Sequence, residues 1–223
     1  MGEFRGFTLD TYHFLTEIGF RNEKLFYEQN RERYKSSVLE PLKELAQTLL
    51  PDMLRVDPQI NPKLSSIVSR IYRDTRFSKN KLPYRDHAWL SFRRPGNRLS
   101  ESFTVYFEIT PDSYGYGMGM YGANADMMRE LRARVFAAPA RFSDLINDRA
   151  LDKYILEGEE YKRDRFPDAD EALKPYLNRK GLSWCYSCPK LQNTFNGRAL
   201  VDELIKAVSE LGPLYRFVMG MER

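Results

Sequence analysis

The sequence is short of the residues that usually carry metal or thiol chemistry, with two cysteines and two histidines in 223 residues. Two thiols cannot build the disulfide framework of a small secreted domain, which favours a reducing compartment. They are spaced C-x-x-C in Trp184-Cys185-Tyr186-Ser187-Cys188-Pro189. A redox dithiol of that spacing opens a helix behind an early strand, where the helix terminus activates the first thiol. This motif comes late and Pro189 follows it at once, so a strand bearing two thiols is the better expectation. The pair offers only two zinc ligands, and His13 and His87 lie far away with no ligand spacing. No metal site is expected, no paired acidic motif stands out, and no motif names a cofactor.

Long apolar runs are missing too. No stretch of eighteen apolar residues exists, so no membrane helix is predicted and no membrane partner is expected. The start, MGEFRGFTLD, has neither the apolar core of a signal peptide nor a myristoylation pattern. The expectation is a cytoplasmic protein. No Ser/Gly linker, low-complexity tract or internal repeat divides the chain, so residues 1–223 read as a single domain.

What the chain does hold is ample core material, 42% apolar and 13% aromatic. Residues 8–60 read as helical. Leu9, Tyr12, Phe14, Leu15 and Ile18 recur at helical spacing, and Asn22 looks like the N-cap of a second helix that Pro41 should kink or divide. Pro51, Pro58 and Pro62 mark its exit. From residue 65 to 122 the period changes to two. SSIVSRIYR, HAWLSFR, ESFTVYFEIT and SYGYGMGMY read as four strands of an antiparallel meander. Residues 123–223 mix helices, such as NADMMRELRARVF with Asn124 as its cap, with a strand near LSWCYSC and a terminal helix that Gly212-Pro213 should end. The fold class is therefore α+β, an antiparallel sheet with helices packed against it.

One strand is unusual. Gly115, Gly117 and Gly119 fall on one face, with Tyr114, Tyr116, Met118 and Met120 on the other. A strip of sheet without side chains invites close approach, either by another backbone or by a ligand. The spacing is not G-x-G-x-x-G and the surroundings are not βαβ, which excludes a dinucleotide site.

Charge is also uneven. Between Arg70 and Arg98 nine cations face only Asp74 and Asp86, a local balance of +7 that leaves the rest of the chain at −3. Arg70, Arg73, Arg76, Lys79, Lys81 and Arg85 lie within RIYRDTRFSKNKLPYRDH, interleaved with Tyr72, Phe77 and Tyr84. Guanidiniums and ammoniums in a loop suit recognition of phosphate or carboxylate, and the aromatics suit stacking on bases. The alternative is an ordinary long loop, its arginines tied down by Asp74 and Asp86 and its Phe77 and Tyr84 buried as anchors.

The pattern Arg70-Ile71-x-Arg73-Asp74-x-Arg76-Phe77-Ser78-x-x-Lys81-x-Pro83-Tyr84 closely resembles the hallmark of the family catalogued as domain of unknown function 2461. Asn22 to Tyr34 and Tyr106 to Arg132 are similar to further parts of that family. The chain departs from it at Gly117 to Asn124, where members carry a Gly-Gly-Gly-like run and a proline, and at Pro189-Lys190-Leu191. The resemblance implies a fold and carries no catalytic residues across.

Two functions follow as expectations. The first is binding of an anionic partner, a small molecule or nucleic acid, by Arg70, Arg73, Arg76, Lys79, Lys81 and Arg85 above Gly117 and Gly119. The second is an enzyme acting on a phosphate- or carboxylate-bearing substrate, with the arginines as clamp and His87, Asp74 or Tyr84 moving protons. A pocket joining those groups to the glycines would favour the second. Adjacent strand residues point to opposite faces, so Asp86 is expected to be poorly placed to orient His87.

Overall fold

The computed structural model describes residues 4–76, 79–96 and 98–221. Phe77 and Asn97 lie outside them, so the anchor expected of Phe77 and the turn expected at Asn97 are not described. Helices α1 (Leu9–Phe20), α2 (Lys24–Gln29), α3 (Arg31–Tyr34), α4 (Glu40–Val56) and α5 (Leu64–Ile67) come first. Strands β1 (Ala88–Phe92), β2 (Phe103–Ile109) and β3 (Tyr114–Met120) follow, then α6 (Ala125–Ala137), α7 (Pro139–Ile146), β4 (Ile155–Glu157), α8 (Lys174–Leu177), β5 (Ser183–Cys188) and α9 (Gly197–Val218). No described helix is long and apolar enough to cross a membrane.

All five strands form one antiparallel sheet in the order β1-β2-β3-β5-β4. The meander is β1 to β3; β5 then enters beside β3 rather than extending the chain order. SSIVSRIYR is not a strand of this sheet. Ser65 to Ile67 belong to α5, and beyond them only Val68 and Tyr72 make isolated bridges, to Leu90 and Tyr84. Local capping wins there, because Lys63 C=O accepts from Ser66 and Ile67 N–H and closes a helical turn before pairing begins.

Two prolines lie inside helices, while Pro58 follows the end of α4. The π-helical turn Lys35–Leu39 leads directly into α4, with Pro41 in its first turn. The amide proton that Pro41 lacks would have bonded Ser37 C=O, and the Thr11 hydroxyl donates there instead at 2.7 Å. Pro51 sits inside α4, and Pro213 inside α9, so neither helix stops where its proline suggested. At the second site the preceding residue, Gly212, has no Cβ to clash with the proline ring. Burial of Leu211, Leu214, Tyr215, Phe217 and Val218 then holds the continuation. Asn22 is likewise no helix cap. Its side chain donates to Tyr84 C=O (3.0 Å) and accepts from Tyr84 N–H (2.9 Å), tying α1 to the basic segment. Asn124 does cap α6, accepting from Met127 N–H at 3.1 Å.

The sheet has two unlike faces. Leu90, Phe92, Val105, Phe107 and Tyr116 are buried against α4 and α9, whose Leu49, Met53, Leu204 and Leu211 face them around a residual void of about 20 Å³. One ion pair lies in this core. Asp57 is fully buried, accepting from Arg94 Nε (2.7 Å), from Tyr215 hydroxyl (2.8 Å) and from Gln59 N–H (2.9 Å). Among the described residues, no α-helix lines the cleft on the opposite face.

Candidate functional site

Strand pairing sets the second face in cross-strand rows. Trp89 stands opposite Glu108, which stands opposite Gly115. In the next row Ser91, Tyr106, Gly117, Cys185 and Ile155 run in succession across the whole sheet. In the third, Thr104, Gly119, Ser183 and Glu157 do the same. Over these rows lies a cleft of about 360 Å³, within the small-ligand range, walled further by Arg85, His87, Leu99 and Tyr121.

The glycine strip answers first to β5. A Cβ on Gly117 would overlap the carbonyl oxygen of Trp184, and one on Gly119 would overlap the Cβ of Ser183. β5 leans over β3, and only glycine admits it. Gly119 lines the cleft, whereas Gly117 does not and borders the small void on the helical face. The bare row has a second consequence. Tyr106 and Cys185 flank Gly117 in this row, with no side chain between them. Cys185 donates to Ser183 Oγ at 3.2 Å. Burial pushes both the Cys185 thiol and the Tyr106 phenol up.

Of the six predicted basic residues, the structure brings one, Arg85, into the cleft wall. Its guanidinium lies over Trp89, 5.0 Å from the ring centroid, and one nitrogen donates to the carbonyls of Arg70 (2.9 Å) and Tyr72. Arg73 N–H bonds Pro83 C=O, and Arg85 N–H bonds Ile71 C=O, so residues 71–73 and 83–85 form the two sides of a projecting arm. Arg76 pairs with Asp74 at 2.7 Å, and Lys81 Nζ donates to Thr75 C=O at 2.8 Å. Lys79 is exposed on the same arm. Among the described residues, no carboxylate pairs with Arg70, Arg73 or Arg85. Burial first, and the charge of Arg73 second, push the Arg85 pKa down.

The proton-transfer candidates separate. Tyr84 is buried in a stack with Tyr27 (centroids 4.6 Å apart) and Tyr72, and Asp74 is spent on Arg76; neither lines the cleft. His87 does. Contrary to the alternation argument, Asp86 Oδ1 lies 2.9 Å from His87 Nδ1, because both residues precede β1 and are free of its pleat. On its other side, His87 Nε2 stands 4.0 Å from Glu108 Oε1, and the ring stacks on Trp89. Desolvation raises the Glu108 pKa, opposed by His87 and reinforced by Asp86. Cys188 turns to the buried face beside Tyr114, so the two thiols do not meet. Among the described residues, no three His, Cys, Asp or Glu side chains gather into a metal-holding group.

Sequence reasoning missed Ser91, Thr104, Glu108 and Glu157 as cleft residues. For the β2 pair a signal existed, since Thr104, Tyr106 and Glu108 share the polar side of an alternating strand beside the glycines. β4 offered none, being three residues long and defined by β5.

A family model described as "Conserved hypothetical protein (DUF2461)" matches residues 10–217. No curated protein matches the chain.

Proposed function

The chain belongs to the DUF2461 family of conserved hypothetical proteins, and from that premise we propose that the cleft on the glycine face binds a small organic anion, a phosphate or carboxylate, through Arg85. The observation that carries the reading is a half-buried arginine in a cleft wall with no carboxylate partner among the described residues. An anion would supply the missing counter-charge at a planar fork already fixed by Trp89 and two carbonyls. A concave cavity of this size suits a small ligand better than a nucleic-acid backbone, and Arg76 and Lys81 are already engaged. A cytoplasmic setting suits the two free thiols.

A thermal-shift screen against orthophosphate, sugar phosphates, nucleotides, small carboxylates and short oligonucleotides tests this, run on the wild type and Arg85→Gln. Binding to the native state raises stability by mass action. Shifts by small anions that vanish in a folded Arg85→Gln support the reading. Shifts by oligonucleotides alone, steeply weakened by salt, would transfer the function to the arm.

The Asp86–His87–Glu108 arrangement favours a second reading, an enzyme at the same cleft. The two ring nitrogens of His87 are flanked by Asp86 Oδ1 at 2.9 Å and Glu108 Oε1 at 4.0 Å, which sets an imidazole between two carboxyl groups at the cleft wall. A substrate turned over by wild type and not by a folded His87→Asn would establish it.

A further inference from the structure

The floor of the cleft holds groups that Arg85 cannot explain. Ser91 is 2% exposed, lines the cleft, and its hydroxyl has no hydrogen-bond partner. A buried hydroxyl without a protein partner is a destabilising group that a donor or acceptor on a ligand can satisfy. Two carboxylates line the same cleft, the partly exposed Glu108 and the exposed Glu157. Glu108 Oε1 lies 4.0 Å from His87 Nε2. An ionised carboxylate accepts and never donates, so a ligand that displaces water from these two must bring O–H or N–H donors. Hydroxyls of Thr104 and Ser183 complete the floor. Thr104 makes one weak bond, to Gly119 C=O at 3.4 Å.

Arg85 asks for an anion and the floor asks for several donors at once. A ligand meeting both demands carries a phosphate at one end and multiple hydroxyls along its body. Vicinal hydroxyls suit carboxylate oxygens, and each hydroxyl both donates and accepts, which serves Ser91 in either role. We infer that the cleft is a site for a polyhydroxylated phosphomonoester, a sugar or polyol phosphate, with Arg85 on the phosphate and Ser91, Glu108 and Glu157 on the hydroxyls. This inference rests on the anion reading above and adds the chemical class of the ligand.

The test is calorimetric titration of orthophosphate and glucose 6-phosphate into the wild type and Ser91→Ala, with melting temperatures recorded without ligand. Wild type should bind glucose 6-phosphate about tenfold tighter than orthophosphate, as expected for two net hydrogen bonds. Ser91→Ala should reduce that ratio by about fivefold, leave orthophosphate affinity unchanged, and raise the ligand-free melting temperature. Equal affinity of the two probes in wild type, or a ratio unmoved by Ser91→Ala, would overturn the inference while leaving the anion site standing. Failure of both probes to bind would instead overturn the anion reading, and this inference with it.

Discussion

The guanidinium of Arg85 rests 5.0 Å above the indole of Trp89, four residues along the chain, at the wall of a cleft where no carboxylate among the described residues meets it. Cation–π contact and two backbone acceptors fix the group without neutralising it. A guanidinium held in place with no carboxylate in contact among the described residues is suited to capture a mobile counter-charge. Several consequences of the surrounding structure can be measured.

Glu108 carries a raised pKa, so the fold favours its protonated form. A carboxyl raised in the folded state contributes stability below its unfolded pKa, and this is lost as pH rises through the folded value. Replacement by Gln removes that loss. Glu108→Gln should therefore melt higher than wild type at pH 7, with the difference shrinking toward zero as pH falls below about 4. A difference that grows at low pH would contradict the assignment.

Cys185 reports on the cleft. It is partly accessible with a raised pKa, while Cys188 is buried. A maleimide should label one thiol in the native protein, slowly at pH 7 and faster as pH rises. Mass spectrometry of the labelled peptide should identify Cys185, and a ligand in the cleft should slow the reaction.

Gly117 is a packing requirement of β5. Gly117→Ala forces a methyl group into the Trp184 carbonyl, and backbone cannot move aside as a side chain can. The expected cost is about 1–3 kcal/mol. Chemical denaturation should show a lower midpoint, and tighter stability in the variant would refute the close approach.

Arg94→Ala leaves Asp57 buried with its charge uncompensated. Loss of one partner from such a pair costs about 3–5 kcal/mol. For a chain of this length that lowers the melting temperature by about 10 °C. A loss of a degree or less would mean that Tyr215 and Gln59 suffice to hold the carboxylate.

Much of the architecture was legible because it rests on local periodicity. Alternation placed β1, β2, β3 and β5, and separated Phe103, Val105, Phe107 and Ile109 from Thr104, Tyr106 and Glu108. What failed depended on distant partners. Pro41 does mark a break, the π-helical turn Lys35–Leu39 before α4, whereas Asn22 is bonded to Tyr84 instead of capping a helix, and β4 is defined by its pairing with β5. Of the residues the sequence singled out, Arg85, His87 and Gly119 line the cleft, while Arg70, Arg73, Arg76, Lys79, Lys81 and Gly117 do not. Arg85 enters the cleft while Arg76 turns to Asp74, a choice made by hairpin geometry. The orphan hydroxyl of Ser91 has no counterpart in sequence, since an unmet hydrogen bond is defined only once its neighbours are known.

The central claim is that the anion seat lies in the cleft at Arg85 and not along the arm. Titration of orthophosphate into the ¹⁵N-labelled protein, followed by amide, indole and guanidinium resonances, measures this directly. The account predicts saturable shifts concentrated at Arg85 Nε–H, Trp89 indole N–H and Gly119 N–H, all absent in Arg85→Gln. Shifts confined to Arg70, Arg76, Lys79 and Lys81, with the cleft resonances unmoved, would contradict it.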